Sequence, residues 1–257
     1  MRELSVYTGG GLGIWGSKLL GWKPVGYVEV ERDNQKIIAQ RIKEGHFEEA
    51  PIFGDIRSFI NNGYANAYQG MVDVLSAGFP CPAFSLARHA HVDELPEDND
   101  KNLWPETIEC IRIIRPKRAV WLENVPSLLA EPYFGRILSD LAEAGYNARW
   151  TVLGVDDCGG SHIRKRLWIQ AYPSNTSGEG LQRWEKERDS GGCGSWSFEH
   201  FTGLDQRQVW AGDDAEPGVV RGGDGHTKEL NKRIRACGNG QSPIVMAEAW
   251  RILSEVA

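Results

Sequence analysis

Three things are scarce in this chain of 257 residues, and each scarcity removes a class of protein. No apolar run approaches the roughly 18 residues that a membrane helix needs. The opening MRELSVYTGG has no basic stretch followed by an apolar one, so neither a membrane span nor a signal peptide is expected, and a cytoplasmic location follows. Cysteine is sparse: Cys81, Cys110, Cys158, Cys193 and Cys237 are odd in number, scattered, and form no CxxC pair. No disulfide framework and no metal site are expected, which suits a reducing compartment. There is also no basic excess. Lys and Arg number 29 against 35 Asp and Glu, a net charge of −6, so contact with a polyanion would have to come from a locally basic cleft.

What is present is a chain that can bury a core, with 41% apolar and 25% charged residues. Up to residue 172, short β-type runs alternate with helical patterns. LSVY leads through a glycine-rich turn into a helix ending near Gly21; PVGYVEV precedes a helix over 33–43; a short IFG and then MVDVLSAG follow. A helix over 104–114, the strand KRAVWLENV, a helix near 133–144 and the strands ARWTVLGV and RLWIQAY complete the series. Such alternation predicts an α/β fold, a mostly parallel sheet with helices on both faces. Residues 173–236 are rich in Gly, Ser, Asp and Glu, contain Trp184, Trp196 and Trp210, and lack periodicity; a stretch this long reads as a small separate module. The tail returns to an amphipathic helix with Val245, Ala249, Ile252 and Val256 on one face.

Gly9, Gly10, Gly11, Gly13 and Gly16 lie between the first strand and the first helix, and Gly11-x-Gly13-x-x-Gly16 fits the dinucleotide fingerprint. Glycines let the backbone approach a nucleotide-like ligand closely. Glu29 and Glu31 end the second strand, where a carboxylate can accept ribose hydroxyl protons. Asp55, in GDI after the third strand, is placed to pair with an adenine amino group. These residues point to a nucleoside cofactor without separating NAD from S-adenosylmethionine, and a plain tight turn would also use the glycines.

Cys81 follows the strand DVLSA in a turn between Pro80 and Pro82. A lone cysteine is most often a small buried hydrophobe. The Pro-Cys-Pro setting argues for a thiol held on a rigid turn, at the strand end where open α/β folds place ligands. Glu123-Asn124-Val125 ends another apolar strand, where a buried carboxylate needs a reason.

At this point the sequence resembles the C5-cytosine-specific DNA methyltransferase family of bacterial and phage type. YTGGG, VEVE, GDI, GFPCPAFS, LENVPSLL, IRKRLWI and GNGQSP run in the family's order from end to end. The resemblance implies a Rossmann-like S-adenosylmethionine-dependent methyltransferase fold, with a catalytic domain of residues 1–172 and 237–257 and a small target recognition domain of 173–236. It implies methyl transfer to cytosine C5 in double-stranded DNA through a covalent Cys81–C6 adduct, with base flipping, by a monomer. Glu123 matches the residue that hydrogen-bonds N3 of the base, and Arg164 and Arg166 match an Arg-x-Arg pair of which one member faces O2. Tyr7, Gly9, Gly11, Glu29, Asp55, Pro80 and Asn239 match cofactor positions. Ser85, Asn124 and Val125 fall on the substrate side. The polar segment 87–101 matches a loop that closes over the flipped base. Arg207, Arg221, Lys232, Arg233 and Arg235 are candidates for reading bases by composition only.

Three departures stand out. Pro82 replaces the more usual Gln, GGSHI precedes the Arg pair where many members have Pro-Gln, and the glycine loop is unusually rich, GGGLG. Tyr7 also stands where phenylalanine is usual. Two readings compete with DNA methylation: an RNA (tRNA) cytosine-5 methyltransferase on the same scaffold, and a catalytically silent DNA-binding regulator. An NAD oxidoreductase rests on the glycine fingerprint alone.

Overall fold

A computed structural model describes residues 1–80, 102–161, 163–174 and 240–255 of the chain. Among these residues seven strands make one sheet: β1 (Arg2–Val6), β2 (Lys23–Val28), β3 (Ile52–Phe53), β4 (Val74–Ala77), β5 (Ala119–Asn124), β6 (Tyr146–Leu153) and β7 (Arg166–Pro173). Their order is β3-β2-β1-β4-β5-β7-β6. The first five run parallel, whereas β7 is antiparallel to both β5 and β6. The chain leaves β1 toward β2 and later returns to β1's other side as β4. That reversal opens a crevice at the carboxyl ends of the two strands, where open α/β sheets hold ligands.

Seven helices flank the described sheet: α1 (Leu12–Leu19), α2 (Arg32–Lys43), α3 (Ile56–Asn61), α4 (Tyr64–Ala67), α5 (Trp104–Ile114), α6 (Pro132–Glu143) and α7 (Pro243–Glu255). Alternation along β1 sorts them into two layers. Leu4 and Val6 join a core with Phe59 of α3, Ala65 of α4, Ile111 of α5 and Ile137 of α6. On the other face α1 and α2 pack through Ile14, Ile38, Tyr27 and Phe47. There α7 covers Val74, Ala119 and a tryptophan cluster. Trp121 and Trp168 stack across β5 and β7 with centroids 5.5 Å apart, and Trp250 of α7 meets Trp121 and Trp22 edge-on at 5.2 and 4.7 Å. Edge-to-face pairs of this kind add directional preference to burial.

The expected α/β architecture is present, with three differences in detail. The short helices α3 and α4 between β3 and β4 carry too few turns to show a period. The antiparallel placement of β7 is not encoded in strand periodicity, which is the same in either direction. The final helix buries a wider surface than one stripe: Ile244, Val245, Met246, Ala247, Ala249, Trp250, Leu253 and Ser254 are buried, while Ile252 is only half-buried. It is wedged between α1 and the sheet, so more than one face meets protein. Val256, the base-reading candidates and nearly all of 173–236 lie outside the described residues, as do Cys81, Ser85, segment 87–101 and Asn239. Among the described residues no helix is long and apolar enough to cross a membrane.

Candidate active site

The crevice between β1 and β4 opens into a cavity of about 580 Å³, within the range of roughly 300–1,000 Å³ typical of small-molecule sites. Its floor is the turn after β1. Tyr7 there adopts φ 56°, a left-handed conformation rare for a side-chain-bearing residue, followed by Gly9 at φ 60° and Gly11 at φ 83°. Tyr7 is held in place from its far end. Its hydroxyl donates to the Leu103 carbonyl at 3.2 Å and lies 3.0 Å from Thr107 Oγ1 at the start of α5, and burial pushes its ionisation well up. The Tyr7 hydroxyl therefore ties the glycine turn to α5.

Carboxylates gather where the strands end. Glu29, just past β2, is buried; its two oxygens accept from the Gly9 amide at 2.6 Å and the Glu31 amide at 2.8 Å. Glu31, Asp33 and Asp55 also line the cavity. Asp55 caps α3, with Oδ1 accepting from the Arg57 amide at 2.7 Å. Among the described lining residues there is no Lys or Arg. A pyrophosphate needs free backbone donors or cations at the loop, yet Glu29 already occupies the Gly9 amide and four further carboxylates surround the space. A ligand bearing a positive centre suits such a lining.

Two strands away on the sheet, β5 delivers Glu123 into the same cavity. Only 12% of its side chain is exposed. Burial raises its pKa above the ordinary carboxylate range, opposed by Arg166, Arg164 and a hydrogen bond from Gln241. Arg166 Nε lies 2.9 Å from Glu123 Oε1. Arg164 turns elsewhere: its Nη2 donates to the Gly240 carbonyl at 2.7 Å. Asn124 is buried with both ends of its amide engaged, Nδ2 donating to the Phe79 carbonyl at 3.2 Å and Oδ1 accepting from the Val125 amide at 2.8 Å. It thus braces the turn that leads through Pro80, a lining residue, toward Cys81.

Tyr7, Gly9, Glu29, Asp55, Pro80 and Glu123 all line the one cavity, while Gly11, Arg164, Arg166, Asn124 and Val125 stand around it without lining it. Val30 and Gln241 are among the lining residues that sequence reasoning passed over. Val30 is 58% exposed although apolar, and offers a flat contact between Glu29 and Glu31. Gln241 sits against both Glu123 and Gly13 at the start of α1; its place in GNGQSP, two residues after the Asn239 already singled out, was the available signal.

Solved structures of the same fold include Spodoptera frugiperda DNMT2, with a TM-score of 0.52 and 15% identity over 68% of this chain and 51% of that one. S. pombe Dnmt2 methyltransferase gives 0.50 and 14% over 69% and 51%. At such identities the likeness is one of fold. The family model described as C-5 cytosine-specific DNA methylase matches residues 3–203. The chain belongs to that family. Among curated relatives, Type II methyltransferase M.NgoMIV of Neisseria gonorrhoeae is 32% identical over 172 residues, 66% of this chain and 51% of that protein. Type II methyltransferase M.CviJI of Paramecium bursaria Chlorella virus IL3A is 27% identical over 148 residues, 58% and 37% respectively. The chain thus spans about half or less of the length of these relatives.

Proposed function

We propose that this chain transfers a methyl group from S-adenosylmethionine to carbon 5 of a flipped cytosine in duplex DNA, as the modifying partner of a restriction–modification system. The observation that carries the reading is one cavity bounded both by the glycine turn with its ring of carboxylates and by Glu123, which pairs with Arg166. Family membership and the naming of its relatives as Type II methyltransferases support it.

The lining fits the cofactor: Glu29 would hold the ribose hydroxyls, Asp55 the adenine amino group and Val30 a face of the ring, with Tyr7, Gly9, Gly11, Pro80 and Asn239 closing the pocket. When bound, the cofactor supplies an electrophilic methyl group at a positively charged sulfur. The chain's own residues make cytosine reactive. Cys81, as thiolate, forms a bond to C6 and drives the ring electron pair toward C5. Glu123, whose burial favours its protonated form, donates at N3 and stabilises the electron-rich ring. Arg166 donates toward O2, and Arg164 holds the segment before α7. Once C5 carries the methyl group, loss of its proton returns an electron pair to the ring, and the Cys81–C6 bond breaks to regenerate the thiolate. Extruding the base costs a few kcal/mol, to be offset by contacts from Ser85, Asn124, Val125 and the 87–101 segment. Residues 173–236 would read sequence, and residues 1–172 with 237–257 would do the chemistry, in a monomer working in the cytoplasm without a metal.

Duplex DNA carrying 5-fluorocytosine tests this directly, because fluorine cannot leave C5 as a proton does. With S-adenosylmethionine, the protein should stay attached to DNA on a denaturing gel, and Cys81→Ser should abolish the shifted band. Adducts on RNA but not DNA would move the substrate to RNA; no adduct on either would leave the DNA-binding regulator.

A further inference from the structure

We propose that Gln241 is a positioning residue for the base-binding carboxyl, clamping Glu123 from a slot built by two glycines on separate elements. The inference rests on the methyltransferase reading above and names a residue that the reading does not assign.

The slot is visible in what a side chain would collide with. A Cβ at Gly13, in the first turn of α1, would come 2.7 Å from Gln241 Oε1. A Cβ at Gly78, just past β4, would come 3.0 Å from Gln241 Nε2 and 3.1 Å from Glu123 Oε2. Real Cβ atoms do not approach heavy atoms at the first of these distances. The amide is therefore seated in room left by two missing Cβ atoms, and its donor end lies beside Glu123, to which it hydrogen-bonds. Its backbone is fixed from both sides. The neighbouring Gly240 carbonyl accepts from Arg164 Nη2, and α7, which begins at Pro243, is anchored by buried Ile244, Val245 and Met246.

The charged groups facing Glu123 are Arg166 of β7 and Arg164 just before that strand; Gln241 faces it from the segment preceding α7, and Gly78 offers only backbone. Burial alone would hold the Glu123 proton more tightly than an exposed carboxyl holds its own. An amide donor opposes that, and fixes the carboxyl plane so that its proton can be offered to a ring nitrogen and recovered on release. Coming from a segment that also lines the cofactor cavity, this contact joins the two halves of the site.

The test uses the full chain and Gln241→Leu, which keeps volume and removes the donor. Two readouts are followed: the Glu123 carboxyl titration by infrared spectroscopy, assigned by its loss in Glu123→Gln, and the pH profile of methylation. The Glu123 midpoint should rise by about one pH unit, the effect of losing one charge-assisted hydrogen bond. The alkaline limb of the rate should follow it, and kcat should fall about tenfold, with the Kd for S-adenosylmethionine within about threefold of wild type. Gly13→Ala displaces Gln241 without touching Glu123 and should reproduce both shifts, which keeps the test available if the leucine variant misfolds. An unmoved carboxyl midpoint, or a change confined to the Kd for S-adenosylmethionine, overturns the proposal and makes Gln241 a cofactor contact. A wild-type protein that methylates nothing overturns the functional reading instead, and the infrared midpoint still decides whether Gln241 sets Glu123.

Discussion

Arg166 brings Nε to 2.9 Å from Oε1 of Glu123, at the junction where β7 runs antiparallel to β5. The guanidinium opposes the effect of burial on Glu123. Arg166→Leu should therefore let Glu123 keep its proton to higher pH, shifting the alkaline limb of the methylation rate upward. The maximal rate should fall roughly 10²-fold or more because a donor to the activated base is lost. Single-turnover methylation across pH checks both; an unmoved limb would mean the pair does not form in solution.

Gly16 and Met246 hold α1 against α7. A Cβ at position 16 would lie 2.6 Å from Met246 Sδ and 3.1 Å from its Cβ and Cγ. Gly16→Ala should destabilise by about 1–3 kcal/mol through overpacking, despite alanine's better helix propensity. In urea titrations the cost should shrink when Met246→Ala is added, since the two residues share the same space. Additive costs would argue against the contact.

Glu3 is fully buried in β1, where Ser17 and Ser76 both donate to Oε1 while Oε2 has no partner, and burial raises its pKa to about 7. The folded state holds this proton more tightly than the unfolded chain. Its contribution is therefore fully present below pH 4.5 and is lost as pH rises through about 7, a total on the order of 3 kcal/mol. Glu3→Gln should remove that slope. Thermal midpoints of wild type and variant, compared at pH 5 and 8, should favour the variant more at pH 8; parallel curves would show that Glu3 does not titrate there.

Asn124→Ala strips the Phe79 carbonyl and the Val125 amide of partners in one step. The expected cost is roughly 1–3 kcal/mol, measured by urea unfolding. Because Phe79 and Pro80 lead to Cys81, the rate of 5-fluorocytosine adduct formation should fall by more than the affinity for S-adenosylmethionine does. Equal losses would place Asn124 in the cofactor pocket and not in support of the nucleophile turn.

Much of this site was legible because the chemistry is local. Gly9 and Gly11 announced a tight turn open to close approach, and both adopt positive φ. Glu29 and Glu123 stood out as carboxylates ending apolar strands, and both line the cavity. Helix α5 runs over the residues its periodicity marks, with Ile108, Ile111 and Ile114 buried. Val30 was not legible, and Gln241 was legible only through its place in the GNGQSP motif. A glutamine beside a glycine motif and a valine between two glutamates carry no period or charge signal, and their significance comes from what lies across space.

The sequence by itself determined the alternation of strands and helices, the family, and which residue types sit at each strand end, because period, turn chemistry and motif order are properties of neighbouring residues. Only the tertiary structure decided the antiparallel β7, which of the two arginines meets Glu123, and how α7 closes the site. It also decided that the Gly9 amide of the glycine turn is taken by Glu29. Those choices depend on distances between segments far apart in the chain, and such distances are set by packing rather than by any local pattern.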